Sequence, residues 1–206
     1  MRRTTLAVLL ALALVPFAST AAAPTAEACM NGVRVQTDNP TQLLVKAEKN
    51  LQSGHLDAAY KGATRVVDSL NHQKLSAKDR GALDKARRLQ AVAVIRAEGK
   101  LKTRNIGVDA AAALLRSRYD HASDEATTIA EHAEALALTP SGRNDALALL
   151  ADLEARDLLA SPYAWRTLAR LRAASGDTDG ATRALERCRK STRTASLCAV
   201  DPPDAT

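Results

Sequence analysis

Three cysteines are the residues of this chain best suited to covalent chemistry, and their spacing favours a structural role. Cys188 and Cys198 lie ten residues apart near the C-terminus, and Cys29 lies near the N-terminus. None belongs to a Cys-x-x-Cys or metal-ligand pattern, which disfavours a catalytic thiol. In an oxidising compartment, a Cys188–Cys198 disulfide would hold the C-terminal residues on the preceding helix. The alternative is a bond from Cys29 to one of the other two cysteines.

A second set of residues, His121, Glu125 and His132, recurs at near-helical spacing and forms a possible metal-binding face. Ser123 is a candidate helix N-cap, which would leave His121 outside the helix, so exposed polar surface is the favoured interpretation. The chain has no phosphate-binding loop, nucleophile elbow, zinc-protease signature or dinucleotide fingerprint. We therefore expect no catalytic residue, no metal and no cofactor, and we expect that the protein is not an enzyme.

Residues 1–28 have the features of a secretory signal peptide. Two arginines precede an apolar stretch at 6–17, and Ala-Glu-Ala at 26–28 is a small-residue cleavage site. The apolar stretch is too short to span a bilayer, which favours cleavage over anchoring. We expect export to the periplasm or secretion, with Cys29 at the new N-terminus and residues 29–38 forming an N-terminal arm.

A cysteine at a new N-terminus also raises the alternative of lipidation. The competing function is then a lipid-anchored structural subunit of a cell-envelope assembly, and only this form would contact the membrane. Ala26 and Glu27 depart from the small or branched apolar residues that lipoprotein signals carry before the cysteine. Ordinary cleavage is therefore the favoured interpretation.

The composition predicts an all-α fold. The chain has 206 residues, enough for one domain with a core, but only 2% of them are aromatic. A core of Ala, Leu and Val suits closely packed helices better than a sandwich of sheets. We place the helical domain at residues 39–198 and expect residues 199–206, which include two adjacent prolines, to be a disordered tail.

Capping residues and helix breakers divide this domain into eight helices, arranged as four antiparallel hairpins. The hairpins are expected to start near residues 40, 77, 124 and 163. The predicted helix starts are Asn39 before Pro40, Ser76 with Asp79, Ser123, Asn144 or Asp145, and Ser161 before Pro162.

One turn pattern occurs twice in the sequence. Its glycine, predicted N-cap and small packing residue recur in phase, as Gly54, Asp57 and Ala59 in the first hairpin and as Gly176, Asp179 and Ala181 in the last. Repetition at matching positions indicates that the domain is built from related helical hairpins.

The last hairpin, at residues 163–192, combines Trp165, Leu168 and the turn residue Gly176 in one pattern. This pattern resembles the tetratricopeptide repeat (TPR), in which Trp and Leu of a first helix precede a tight turn and small residues of a second helix. Residues 40–70 share the resemblance. It implies a short TPR-like α-solenoid of stacked hairpins, acting as a scaffold that binds a protein partner through its concave face.

In the TPR family the ligand lies along the first helices of the pairs. The corresponding positions of the last hairpin are Tyr163, Arg166 and Arg170. One aromatic ring and two guanidinium groups on one face would suit a carboxylate or an acidic protein segment. The alternative is that Tyr163 packs on a neighbouring hairpin and that both arginines are solvated.

The net charge of +6 is unevenly distributed. Residues 74–118 carry twelve Lys or Arg and four acids, residues 120–157 carry nine acids and two Arg, and residues 161–193 carry eight Lys or Arg and three acids. We favour attraction between stacked hairpins of opposite charge. The alternative is a basic patch that recruits an acidic partner or an anionic envelope surface. Nucleic acid is not expected as a partner, because export separates the two and aromatic residues for base stacking are scarce.

Overall fold

A computed structural model describes residues 39–71, 74–104 and 106–199, and this part of the chain is all-α, as predicted. The predicted signal peptide, the N-terminal arm with Cys29, and residues 200–206 of the predicted tail lie outside the described residues. The eight helices are α1 (Pro40–Gln52), α2 (Leu56–Leu70), α3 (Ala77–Arg96), α4 (Val108–His121), α5 (Ala126–Leu136), α6 (Arg143–Ala155), α7 (Pro162–Ala174) and α8 (Thr178–Ser191). Short 3₁₀ turns lie at Pro140–Gly142 and Ala195–Cys198.

Local capping chemistry sets several helix starts where the sequence predicts them. The side chain of Asn39 accepts a hydrogen bond from the amide of Thr41 at 3.0 Å, and a proline follows at the first helical position. Ser76 and Asp79 form a capping box at the start of α3, each side chain accepting from the other residue's amide. Ser161 is the N-cap of α7 by position, without a side-chain cap bond, and Pro162 is the first residue of that helix.

Two predicted helix starts are wrong. Ser123 does not cap α5: helix α4 continues to His121, so the next residues form the turn, and Glu125 becomes the N-cap without a side-chain cap bond. Helix α6 begins at Arg143 rather than at Asn144 or Asp145, because the preceding 3₁₀ turn leads into it through Gly142, whose backbone is helical.

The repeated turn is confirmed at the level of its hydrogen bonds. Gly54 has φ +83° and Gly176 has φ +86°, the left-handed conformation that glycine adopts without steric cost. In both turns, the residue after the glycine donates its amide to the carbonyl five positions back, at 2.9 Å. The first and last hairpins therefore reverse direction by the same backbone route.

The predicted caps of these turns are wrong. The N-cap of α8 is Asp177, whose Oδ1 accepts from the amide of Gly180 at 2.8 Å, and the N-cap of α2 is His55, without a side-chain bond. The left-handed glycine lets the next helix start at once, two residues earlier than expected. Asp57 and Asp179 instead lie in the first helical turns, where a negative charge complements the helix dipole.

The helices pack mainly in chain order. Each helix contacts the next, and the odd-numbered helices also contact one another in series, α1 with α3, α3 with α5 and α5 with α7. The apolar side chains form two clusters, one mainly from α1–α4 and one mainly from α5–α8. Fully buried alanines such as Ala59, Ala63 and Ala86 allow close helix contacts in a core with few aromatic rings.

Buried ion pairs join the two halves where α3 meets α5. Arg96 donates to both carboxylate oxygens of Glu134, at 2.7 and 3.1 Å, and the two side chains are only 8% and 3% exposed. About two helical turns before Arg96 in α3, Arg88 donates to Glu131 at 2.9 Å and to Glu48 of α1 at 3.3 Å. The favoured interpretation of the charge pattern, attraction between oppositely charged hairpins, is confirmed at these contacts.

Burial and pairing act on Arg96 in opposite directions. Loss of water lowers the pKa of its guanidinium, but the charge and hydrogen bonds of Glu134, with a further contribution from Glu131, raise that pKa above its ordinary value. Arg96 therefore stays charged in the folded protein, and the carboxylate of Glu134 offsets the cost of burying this charge.

We expect Glu134→Gln to destabilise the fold strongly, because it removes the carboxylate that is hydrogen-bonded to the buried charge of Arg96. Removing one partner of a buried pair costs about 3 kcal/mol or more, whereas Asp152→Asn, which breaks the exposed pair with Arg156 on α6, should change the free energy of unfolding by under about 1 kcal/mol. Urea denaturation followed by circular dichroism measures both. Equal effects of the two substitutions would contradict the role assigned to the buried pair.

His132 is buried, contrary to the exposed surface favoured from the sequence. Its ring stacks on Tyr119 with centroids 4.7 Å apart, and its Nδ1 has no hydrogen-bond partner. Burial and the nearby charge of Arg116 lower the pKa of His132 from 6.5, and Asp120 opposes them only in part. The neutral imidazole is therefore the form that fits the fold.

This lowered pKa predicts a pH dependence of stability. The unfolded state binds the proton more tightly than the folded state, so the contribution of neutral His132 is complete above pH 6.5 and is lost as the pH falls through the lower, folded-state pKa. His132→Phe should reduce the loss of unfolding free energy between neutral and mildly acidic pH, measured by urea denaturation at both pH values. An unchanged pH profile in His132→Phe would contradict this assignment.

Candidate functional site

Helix α7 brings Arg166 and Arg170 together at one carboxylate. These residues lie one turn apart, and both donate to Oε1 of Glu98, Arg166 through Nη2 at 3.1 Å and Arg170 through Nη1 at 2.8 Å. Glu98 follows the end of α3, so the contact joins the second hairpin to the fourth. Two of the three residues predicted from the TPR resemblance thus form one charged cluster, together with an acid that the sequence did not indicate.

The third predicted residue, Tyr163, lies inside the protein, so the prediction that its ring is offered on the surface beside the arginines is wrong. It is 2% exposed, and the guanidinium carbons of Arg96 and Arg166 lie 4.4 and 5.6 Å from the ring centroid. Its hydroxyl is buried without a hydrogen-bond partner. Burial raises the pKa of Tyr163, and the two arginines oppose that shift only in part. Tyr163 can support the arginines but is not available to a partner in this structure.

A depression of about 600 Å³ lies beside this cluster. We call it the basic pocket. Three hairpins and the C-terminal segment form its walls. The lining residues are 54–58 in the first hairpin, 96–98, 100 and 101 at and after the end of α3, Arg166 and Arg170 of α7, and Ala199.

The basic pocket carries more positive than negative charge. Arg166, Arg170 and exposed Lys100 face it, and Glu98 is the acid that pairs with the two arginines. The other acid in its wall, Asp57, lies 2.7 Å from Lys61, which neutralises it locally. Guanidinium groups that are only partly buried and share one acid can bind a further carboxylate.

An unusual backbone conformation places Glu98 at the pocket. Helix α3 ends at Arg96, and Glu98 and Gly99 then both have positive φ, +50° and +77°. A left-handed conformation is uncommon for a glutamate, whose Cβ it crowds. The sequence indicates only that Gly99 ends a helix. The position of Glu98 against α7 depends on tertiary packing.

A disulfide holds the wall of the pocket that comes from the C-terminal segment. Cys188 of α8 is bonded to Cys198, as predicted, with the two Cα atoms 5.8 Å apart. The bond holds the 3₁₀ turn Ala195–Cys198 on the last hairpin. Leu197 of this turn packs so closely on Gly54 that a side chain at position 54 would clash with it, since an added Cβ would lie only 2.8 Å from a methyl carbon of Leu197. The alternative pairings of Cys29 and its acylation stay predictions, since that residue lies outside the described part.

Neither a metal site nor a membrane span is found among residues 39–71, 74–104 and 106–199. No group of three or more His, Cys, Asp or Glu side chains there could hold a metal ion. His121 ends α4, with its Nδ1 2.6 Å from the carbonyl oxygen of Ser117, whereas His132 is buried against Tyr119. No helix of these residues is long and apolar enough to cross a membrane.

We found no match to a protein-family model, to a curated protein or to a solved structure. The role of the basic pocket is therefore inferred from its geometry.

Proposed function

We propose that the protein is an exported, TPR-like helical scaffold that binds an acidic segment of a partner protein in the basic pocket. The repeated turn at Gly54 and Gly176 and the serial contacts of the odd-numbered helices support the repeat architecture. The signal-peptide features at residues 1–28 support export. The Cys188–Cys198 disulfide is consistent with an oxidising compartment.

The observation that carries the proposal is the sharing of Glu98 by Arg166 and Arg170 at the wall of the basic pocket. Two guanidinium groups with one acid between them leave hydrogen-bond donors and positive charge for a second carboxylate. Arginine binds carboxylates through planar, paired hydrogen bonds, and aspartate or glutamate side chains supply such groups in a protein segment. The pocket volume of about 600 Å³ is that of a site for a small ligand or a few side chains.

We expect the double substitution Arg166→Ala/Arg170→Ala to weaken the binding of an acidic peptide about tenfold, because each ion pair of such partly exposed side chains contributes up to about 1 kcal/mol. The probe is a fluorescein-labelled decapeptide of alternating Asp and Ala, compared with its Asn counterpart. Fluorescence anisotropy at low and physiological salt gives the dissociation constants, and circular dichroism verifies folding.

The matched control is Arg183→Ala/Arg189→Ala. It also removes two positive charges, but from exposed positions of α8 that do not line the pocket. Binding should change little in this variant apart from a general loss of long-range attraction. If both double substitutions weaken binding equally, or if the Asn peptide binds as well as the Asp peptide, the basic pocket is not the binding site.

A further inference from the structure

Two ion-pair clusters of the described residues, at Glu134 and at Glu98, differ in geometry and exposure. Arg96 engages both oxygens of Glu134, with the two side chains 8% and 3% exposed, which is the geometry of a structural pair. At Glu98, both arginines donate to the same oxygen, Oε1, and the three side chains are much more accessible, at 29% for Glu98, 21% for Arg166 and 35% for Arg170. The Glu98 cluster is therefore accessible from the basic pocket.

The hydrogen bonds to Glu98 use only part of the donor capacity of the two arginines. A guanidinium group has five N–H donors, and here Arg166 and Arg170 each give Glu98 one hydrogen bond. Neither arginine pairs with another acid among the ion pairs of the described residues. The cluster has two positive charges and one negative charge, so Glu98 does not neutralise it and a net positive charge remains to attract a carboxylate.

We propose that Glu98 is an internal competitor for the ligand, occupying with its own carboxylate the position that a carboxylate of the acidic partner takes on binding. This inference rests on the proposed function and adds a determinant of selectivity to it. A neutral segment cannot replace the carboxylate of Glu98 at two guanidinium groups, whereas an Asp or Glu side chain of a partner offers the same bonds.

The position of Glu98 suits such an exchange. It lies past the last residue of α3 and its side chain is 29% exposed, so the carboxylate can turn towards solvent by rotation of the side chain alone. Partly exposed ion pairs contribute little to stability, so their bonds can be exchanged for those of a ligand at low cost. A second carboxylate beside Glu98 would also repel it, which favours its displacement once a ligand enters.

The test compares wild-type protein with Glu98→Gln in the anisotropy assay, using the same Asp and Asn decapeptides. Glutamine keeps the size of the side chain but removes the charge that competes for Arg166 and Arg170. We expect the Asp peptide to bind about fivefold more tightly or better, which corresponds to removing one or two ion pairs of partly exposed side chains. The Asn peptide should show no such gain.

Three further variants make the comparison specific. Glu186→Gln removes a negative charge from an exposed position of α8 and reports the effect of net charge alone. Glu98→Asn places at the left-handed position a residue that tolerates positive φ, so it serves where Glu98→Gln folds poorly. The triple variant Glu98→Gln/Arg166→Ala/Arg170→Ala should lose the gain.

Each outcome has one meaning. Tighter binding in both Glu98 variants but not in Glu186→Gln supports the inference, even where wild-type binding is too weak to measure. If the wild type binds through Arg166 and Arg170 but the Glu98 variants bind equally well or more weakly, Glu98 only supports the arginines; the inference fails and the proposed function stands. If no variant binds the Asp peptide, both fail.

Discussion

The buried pairing of α3 with α5 is the interaction on which the rest of the structure depends. The apolar side chains divide into two clusters, and between them Arg96 meets Glu134 while Arg88 meets Glu131. If α3 packed on α5 in another register, an arginine would be buried without its acid, or an acid without its arginine, at a high cost in free energy. The ion pairs therefore fix which helices meet and in which register.

The same contact positions the basic pocket. Arg96 pairs with Glu134 on one side and lies over the ring of Tyr163 on the other, which orders the start of α7. Arg166 follows Tyr163 by one turn and lies 5.6 Å from the same ring, so the pocket is built directly on the buried network. Side-chain exposure increases from Arg96 to Arg166 and Arg170. Arg96 therefore belongs to the buried, structural end of the network, and Arg170 lies at the end that is accessible from the basic pocket.

Small side chains explain why charge has this architectural role. With 2% aromatic residues, the helices can approach closely through alanine but bury limited apolar surface at each contact. Leu and Ala specify a helix interface only weakly, because many registers pack almost equally well. A bidentate arginine–carboxylate pair accepts one geometry, and the protein places such pairs at the junction between its clusters.

The sequence by itself determined the features that depend on neighbouring residues: the all-α class, the eight helices, the capped starts at Asn39 and Ser76, the repeated glycine turn and the disulfide between cysteines ten positions apart. Each follows from short-range chemistry along the chain. Only the tertiary structure decided that Tyr163 is buried, that Glu98 lies between Arg166 and Arg170, and that His132 stacks on Tyr119. Glu98 lies 68 and 72 positions from these arginines, and its contact with them depends on how whole hairpins pack, which local patterns do not encode.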